Sequence, residues 1–273
     1  MTAVSVVIRA KDEVADIGRT LEILAGQTIA AGSEVIVVDS GSTDGTVDVV
    51  RRAGVRLVEI PAADFTYGGA LNTGCEQATG DLIVALSAHA FPPDERWLER
   101  MSDALGGDRV ACACGYGTAP DGGSLGERIV QDAELARRHP RWGYSNASGA
   151  FRADLWRQRP FREDMPASED REWALHWLDR GWVCVVDPAL SVHHDHGGES
   201  ARLTYERAFR EWEAMPLYAD APPIGLPAIA SEWWRGDPAW PSAARARVSW
   251  RRAAKLAGKY RGLRSGAARV ARG

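Results

Sequence analysis

The sequence contains few cysteines, no long apolar run and none of several common motifs. Its four cysteines, at positions 75, 112, 114 and 184, form no C-x-x-C pair, so we expect free thiols in the core. No apolar segment approaches the roughly 20 residues that span a bilayer, and residues 1–10 lack the pattern of a secretory signal. The motif H-E-x-x-H is absent, which argues against a zinc protease. The dinucleotide-binding fingerprint G-x-G-x-x-G is absent as well. We therefore expect a cytoplasmic protein.

Charge is distributed unevenly along the 273 residues. The chain has 33 Lys and Arg against 37 Asp and Glu, yet residues 241–273 contain ten of the basic residues and no acidic one. Apolar residues between these cations give the tail the pattern of an imperfect amphipathic helix. Three interpretations stay open: peripheral contact with an anionic membrane at its inner face, packing on the acidic body of its own chain or of a homodimer partner, and a plain solvated helix. No nucleic-acid module accompanies the tail, so we expect no nucleic-acid partner.

The order of apolar segments predicts an α/β fold. Short β-branched or continuously apolar runs at 3–9, 34–39, 55–60 and 82–86 predict strands, and helical spacing follows three of them, at 17–24, 43–53 and 67–78. Alternation of this kind indicates a Rossmann-like, doubly wound, mostly parallel sheet with right-handed crossovers. Further strands are expected at 110–115 and 182–186, with a helix at 170–180.

Polar clusters follow three of the predicted strands, at 9–13, 39–44 and 87–89. Ligands of parallel sheets bind at the carboxyl ends of the strands. We therefore expect these three segments to meet in one crevice.

The segment Asp39-Ser40-Gly41-Ser42 places a carboxylate at a strand end, followed by small residues and a helix start. Such an Asp can accept hydrogen bonds from a nucleobase or a ribose hydroxyl, and Gly41 permits close approach of a ligand. An ordinary strand-to-helix loop, with Ser42 or Thr43 as helix cap, is the alternative.

Together with residues 8–13, the segment 37–46 resembles the nucleotide-binding half of glycosyltransferase family 2, in particular its rhamnosyltransferase-like members. Further matching segments are Gly69-Ala70-Leu71-Asn72, Ala78-Thr79-Gly80-Asp81, Ser145-Asn146-Ala147 and Ser168-Glu169-Asp170. The resemblance implies the GT-A fold and a nucleoside-diphosphate sugar as donor, with UDP, dTDP or GDP as the nucleotide. The donor-binding residues that it implies are Ala10, Glu13, Asp39, Ser42 and Ser87.

The family usually ends its fourth strand with D-x-D, which holds a divalent cation, Mn²⁺ or Mg²⁺. This sequence has Ser87-Ala88-His89 there, so both carboxylates are missing. His89 and a late histidine, His194, are the candidate metal ligands, while surface-loop histidines are the alternative.

Glu169 and Asp170 begin the predicted helix 170–180, where negative charge is favoured by the helix dipole alone. The resemblance implies instead that Asp170 is the general base that deprotonates an acceptor hydroxyl, with Glu169 supporting the acceptor. Asn72 and Asn146 are candidates for orienting sugar or acceptor hydroxyls, although Asn in such loops often serves turn geometry alone.

The resemblance predicts an inverting hexosyl- or deoxyhexosyltransferase that acts on a hydroxyl of a glycan, lipid or secondary metabolite. We expect a GT-A domain at 1–200, with a nucleotide-sugar half at 1–115 and an acceptor half at 116–200. A helical, proline-containing extension with the basic tail is expected at 201–273. Two alternatives are a nucleotide-sugar-binding protein without turnover and a hydrolase of activated sugars.

Overall fold

A computed structural model describes residues 3–194, 200–235 and 249–272. The chain separates into two compact units. Unit 1 comprises Met1–Ala119, Ser124–Asp164 and Glu169–Asp195, and unit 2 comprises Pro120–Gly123, Met165–Ser168 and His196–Gly273. The domain division predicted at residue 200 stays a prediction.

Unit 1 is built on one eight-stranded sheet with helices on both faces. In chain order its strands are β1 (Val4–Ala10), β2 (Ser33–Asp39), β3 (Arg56–Glu59), β4 (Leu82–Ser87), β5 (Val110–Cys114), β6 (Ile129–Gln131), β7 (Ser148–Arg152) and β8 (Val183–Val186). Its α-helices are α1 (Ile17–Ala25), α2 (Thr46–Ala53), α3 (Tyr67–Glu76), α4 (Trp97–Ala104), α5 (Ala133–Arg138), α6 (Ala153–Gln158) and α7 (Glu169–Leu178). The strands lie in the order β3-β2-β1-β4-β7-β5-β8-β6, which is the GT-A fold expected from the sequence.

The sheet is buried on both faces because successive side chains of its central strands alternate between two apolar clusters. In β1, Val6 and Ile8 belong to the cluster on one face, and Val7 belongs to the cluster on the other. All four cysteines are buried and free, which confirms the expectation of core thiols.

Two strands were not predicted from the sequence. β7 lies between β4 and β5 and runs antiparallel to both, and β6 is an antiparallel edge strand of three residues. β7 contains Gly149, whose added Cβ would lie 2.4 Å from the carbonyl oxygen of Ser145. A strand with such small residues carries little β-propensity, so its position is determined by tertiary packing.

Unit 2 contains α8 (Ala201–Ala214), α9 (Leu226–Arg235) and α10 (Ser249–Val270). α10 carries Gly258, Gly262 and Gly266 on one face, four residues apart, and this face packs on α8. A Cβ at Gly262 would lie 2.5 Å from the carbonyl oxygen of Phe209. The two helices therefore pack with backbone against backbone. Among the described helices, none combines the length and the apolar character required to cross a bilayer.

Candidate active site

The carboxyl ends of β1, β2 and β4 and the beginning of β7 meet at one edge of the sheet. Ala10 is paired with Asp39, and Arg9 with Ser87, at the carboxyl ends of β1, β2 and β4. Because β7 is reversed, its beginning lies at the same edge, where the Ser87 amide donates to the carbonyl oxygen of Ala147 at 2.9 Å. The three polar clusters noted in the sequence thus lie together, joined by the 145–148 segment.

Asp39 closes the loop that follows β2. One carboxylate oxygen accepts from the amides of Gly41 and Ser42, both at 2.9 Å, and the other accepts from the Ser42 hydroxyl. Gly41 has a φ of +80°, which favours glycine. The side chains of Asp39 and Ser42 therefore shape the loop. Each carboxylate oxygen has two lone pairs, so this role leaves acceptor capacity for a nucleoside. The helix cap of the ordinary-loop alternative was wrong, because α2 begins at Thr46 and its N-cap is Gly45, with no side-chain cap hydrogen bond.

The loop after β1 is bound to the loop after β2 by backbone and side-chain hydrogen bonds. The amide of Asp12 donates to the Ser42 hydroxyl at 2.8 Å, and the amide of Glu13 donates to the Thr46 hydroxyl at 2.7 Å. The carbonyl oxygen of Ala10 accepts from the amide of Ser40 at 3.0 Å. Ala10, Glu13 and Ser42 therefore belong to one connected pair of loops.

His89, His194 and Glu13 form a cluster beside these loops. His89 Nδ1 lies 3.1 Å from each carboxylate oxygen of Glu13, and the rings of His89 and His194 stack with centroids 4.8 Å apart. Mutual backbone hydrogen bonds between Phe91 and His193, at 2.9 and 3.0 Å, align the two segments that carry the histidines.

The ligand types of this cluster are mixed, because imidazole nitrogens suit Zn²⁺, Cu²⁺, Fe²⁺ and Ni²⁺, whereas carboxylate oxygens suit Mn²⁺ and Mg²⁺. The geometry is incomplete as well. Within the described part of the chain, no three His, Cys, Asp or Glu side chains are arranged to hold a metal ion. A divalent cation at His89 and His194 would therefore need further ligands from the donor.

Glu169, in the first turn of α7, is a buried carboxylate with two donors. It is 3% exposed and accepts from Arg9 at 3.0 Å and from the Asn146 amide group at 3.3 Å. Burial raises the pKa of Glu169, the positive charge of Arg9 opposes this rise, and the charge of Asp170 adds to it. Arg9 also donates to the carbonyl oxygen of Tyr67 at 2.6 Å, so one side chain connects β1, α3 and α7.

Asp170 is the neighbouring carboxylate and is oriented by backbone amides. It accepts from the amide of Asn146 at 3.0 Å and from its neighbour Arg171 at 2.7 Å. The structure thus brings Glu169, Asp170 and Asn146 together, and it adds Arg9, for which no role was predicted. An arginine at the end of an otherwise apolar strand indicates a polar contact, but it does not identify the partner.

The two asparagines differ in their hydrogen bonding. Asn72 donates to the carbonyl of Phe161 and to Glu163, at 2.9 and 3.0 Å, and accepts from Trp156 and from the Phe161 amide, at 3.0 and 3.1 Å. Both donors and both lone pairs of Asn72 are thus used, so the predicted sugar contact gains no support from these bonds. The side-chain oxygen of Asn146 is buried and has no hydrogen-bond partner among the described residues.

Comparison with known proteins connects this geometry to a family. The sequence model of Glycosyl transferase family 2 matches residues 5–166. The chain is 35% identical to the glycosyltransferase AglE of Haloferax volcanii over 206 residues, which cover 70% of this chain and 64% of AglE. It is 22% identical to the O-antigen chain rhamnosyltransferase WbaN of Salmonella anatum over 199 residues, which cover 65% of this chain and 61% of WbaN.

A similar fold is found in the mannosyltransferase PcManGT from Pyrobaculum calidifontis, solved with GDP-Man and Mn²⁺. The TM-score is 0.62 at 22% identity, and the match covers 99% of this chain and 74% of that one. This chain spans less than two thirds of the length of both AglE and WbaN.

Proposed function

Because the chain belongs to glycosyl transferase family 2, we propose that it transfers a sugar from a nucleoside-diphosphate donor to an acceptor hydroxyl with inversion. One observation carries this proposal: Glu169 and Asp170 are joined through Arg9 and Asn146 to the sheet edge where β1, β2 and β4 end. A pair of carboxylates is thereby connected to the loops that the family uses for the nucleotide.

In the proposed complex, the loops after β1 and β2 hold the nucleoside. Asp39 accepts from the base or the ribose, while Ala10, Glu13 and Ser42 shape the surrounding loops. Ser87, at the end of β4, lies towards the diphosphate. GDP, UDP and dTDP are the candidate nucleotides, and a hexose or deoxyhexose is the candidate sugar. The complex of PcManGT with GDP-Man supports this class of donor.

Asp170 is the proposed base. It takes the proton of the acceptor hydroxyl while that oxygen forms a bond to the anomeric carbon, on the face opposite the diphosphate. The bond between the anomeric carbon and the diphosphate oxygen breaks, and its electron pair leaves with the diphosphate. Hydrogen bonds from the amides of Asn146 and Arg171 orient Asp170, and Glu169 with the side-chain oxygen of Asn146 binds acceptor hydroxyls.

His89 and His194 are the proposed protein ligands of a divalent cation, Mn²⁺ or Mg²⁺. When bound, such a cation supplies positive charge to the departing diphosphate. Glu13 orients the His89 ring through Nδ1, as carboxylates beside metal-ligating histidines commonly do. The Mn²⁺ in the PcManGT complex supports a cation in this fold.

The proposal is tested by replacing Asp170 with asparagine. Donors are first identified by thermal shift with UDP-, dTDP- and GDP-sugars, with and without Mn²⁺, and turnover is then measured with hydroxyl acceptors. We expect Asp170→Asn to keep donor binding and to lose roughly 10²- to 10⁴-fold in turnover, the usual contribution of a general base. Asp48→Asn, at an exposed position on α2, is the matched control.

Three results would contradict the proposal or replace it. Unchanged turnover in Asp170→Asn would remove Asp170 as the base. Donor binding without transfer to any acceptor would favour the binding-protein alternative. Release of free sugar at the same rate with and without acceptor would favour the hydrolase.

A further inference from the structure

Unit 2 exposes large aromatic side chains of a kind that soluble proteins normally bury. Trp234 of α9 is 84% exposed and Trp250, at the start of α10, is 80% exposed. Exposed aliphatic residues on α8, α9 and α10 add to them, namely Leu203, Leu226 and Val270. Aliphatic residues that are exposed singly need no explanation, but two tryptophans exposed on connected helices indicate a contact surface.

The two tryptophans lie on α9 and α10, which contact each other. Lys259 of α10 forms an ion pair with Glu232 of α9 at 2.7 Å, and Arg252 lies over the ring of Trp233 at 5.6 Å. These contacts hold the end of α9 against α10. Trp234 and Trp250 are thereby carried by connected helices.

The exposed face of α10 is cationic. Trp250, Arg261 and Arg264 are exposed, whereas Gly258 and Gly262 are buried against α8. The spacing of 250, 257, 261, 264 and 268 places these positions in one stripe, on a different side of the helix from the glycines. Residues 249–272 contain eight Lys and Arg and no acidic residue. The stripe therefore combines an indole ring with positive charge that no acid within α10 neutralises.

We propose that unit 2 binds the surface of an anionic lipid bilayer through the exposed stripe of α10, the membrane-binding face, defined as Trp250, Arg261 and Arg264, with the exposed Trp234 of α9 as a second indole anchor. Indole rings partition into the headgroup region of a bilayer, and arginines beside them pair with lipid phosphates. The exposed Leu203, Leu226 and Val270 of the same unit favour a bilayer over nucleic acid, since a bilayer offers apolar side chains an apolar layer. This inference is independent of the proposed sugar transfer.

The experiment is co-sedimentation of the full chain with phospholipid vesicles. One vesicle contains phosphatidylglycerol and phosphatidylcholine in equal parts, and the other contains phosphatidylcholine alone. We expect binding to the anionic vesicle, weaker binding at higher salt, and little binding to the neutral one. Brominated lipids are expected to quench part of the tryptophan fluorescence.

Two double variants locate the contact. Trp234→Ser with Trp250→Ser, and Arg261→Glu with Arg264→Glu, are each expected to lower the partition coefficient by about tenfold or more. Because all four residues are exposed, circular dichroism is expected to show an unchanged fold. Arg52→Glu with Arg157→Glu changes the same charge at exposed positions of unit 1 and is expected to keep binding.

Several outcomes would overturn the proposal. The first is no binding to the anionic vesicles, and the second is binding that both membrane-face variants retain. Tighter binding to a single-stranded oligonucleotide, lost in the tryptophan variant, would assign the face to nucleic acid. A wild-type dimer that the tryptophan variant converts to a monomer would assign it to a second copy of the chain.

Discussion

Replacing Arg9 with methionine removes the positive charge that faces the buried Glu169 carboxylate. The two side chains are 23% and 4% exposed and lie 3.0 Å apart. Breaking a buried pair by removing one partner costs about 3–5 kcal/mol, and we take about 3 kcal/mol because Arg9 keeps some contact with solvent. For a chain of this size that loss corresponds to a fall in Tm of about 6–12 °C.

The loss of stability in Arg9→Met depends on pH, and the pKa of Glu169 determines whether this loss grows or shrinks as the pH rises. Burial already raises this pKa in the folded protein, and without the opposing charge of Arg9 it rises further. A carboxyl whose folded pKa is raised stabilises the fold below its unfolded pKa of about 4.3, and this stabilisation is lost as pH rises through the folded pKa. The Tm difference between Arg9→Met and the wild type is therefore expected to be larger at pH 8 than at pH 5, by about twofold or more.

Calorimetric or circular-dichroism melting at the two pH values measures the effect. Glu169→Gln in the Arg9→Met background is expected to recover part of the Tm and to abolish the difference between the two pH values. Arg9→Lys, which keeps a charge, is the control. An equal Tm loss at both pH values, with no recovery from Glu169→Gln, would show that the ion pair with Glu169 is not the cause. The hydrogen bond from Arg9 to the carbonyl oxygen of Tyr67 would then account for the stabilisation.

Two further predictions concern the asparagine and histidine sites. Asn72→Ala leaves the Trp156 and Phe161 N–H groups without a buried acceptor, so we expect a loss of about 2–4 kcal/mol in the free energy of unfolding. We expect the affinity for the sugar donor to stay unchanged. A large loss of that affinity in the folded variant would favour a contact between Asn72 and the sugar. His89→Ala and His194→Ala are each expected to abolish the effect of Mn²⁺ on donor affinity in titration calorimetry, with smaller changes in its absence. A persistent Mn²⁺ effect in both variants would place the ion elsewhere.

The sequence predicted the strands that carry a strong local signal. β1, β2 and β4 are continuous runs rich in β-branched and aliphatic residues, and each was located within a residue or two of its ends. β7 carries no such signal, because Ser148 and Gly149 contribute little β-propensity. Its place between β4 and β5 depends on partners that are distant in the chain.

The candidate site shows the same contrast between features with a local sequence signal and features that depend on distant residues. Glu169 and Asp170 could be located at a helix start because they belong to a local motif, and their catalytic roles stay predictions. Arg9 lies 160 residues from Glu169, and no local pattern reports a contact of that kind. For Asn72, a Gly-rich segment does not reveal that Trp156 and Phe161 donate to its amide oxygen, and the predicted sugar contact of Asn72 stays a prediction.

The position of β7 also has a consequence for the growing chain on the ribosome. β5 is paired with β7 and β8 but not with β4, so the free edge of β4 has no neighbour until β7 has been made. About sixty residues separate the end of β4 from the start of β7, which at the usual rate of synthesis corresponds to about 3–12 s. During that interval an apolar strand presents unpaired N–H and C=O groups, the condition that promotes pairing between neighbouring chains. Nascent chains that pause between β4 and β7 are therefore the ones most exposed to misassembly.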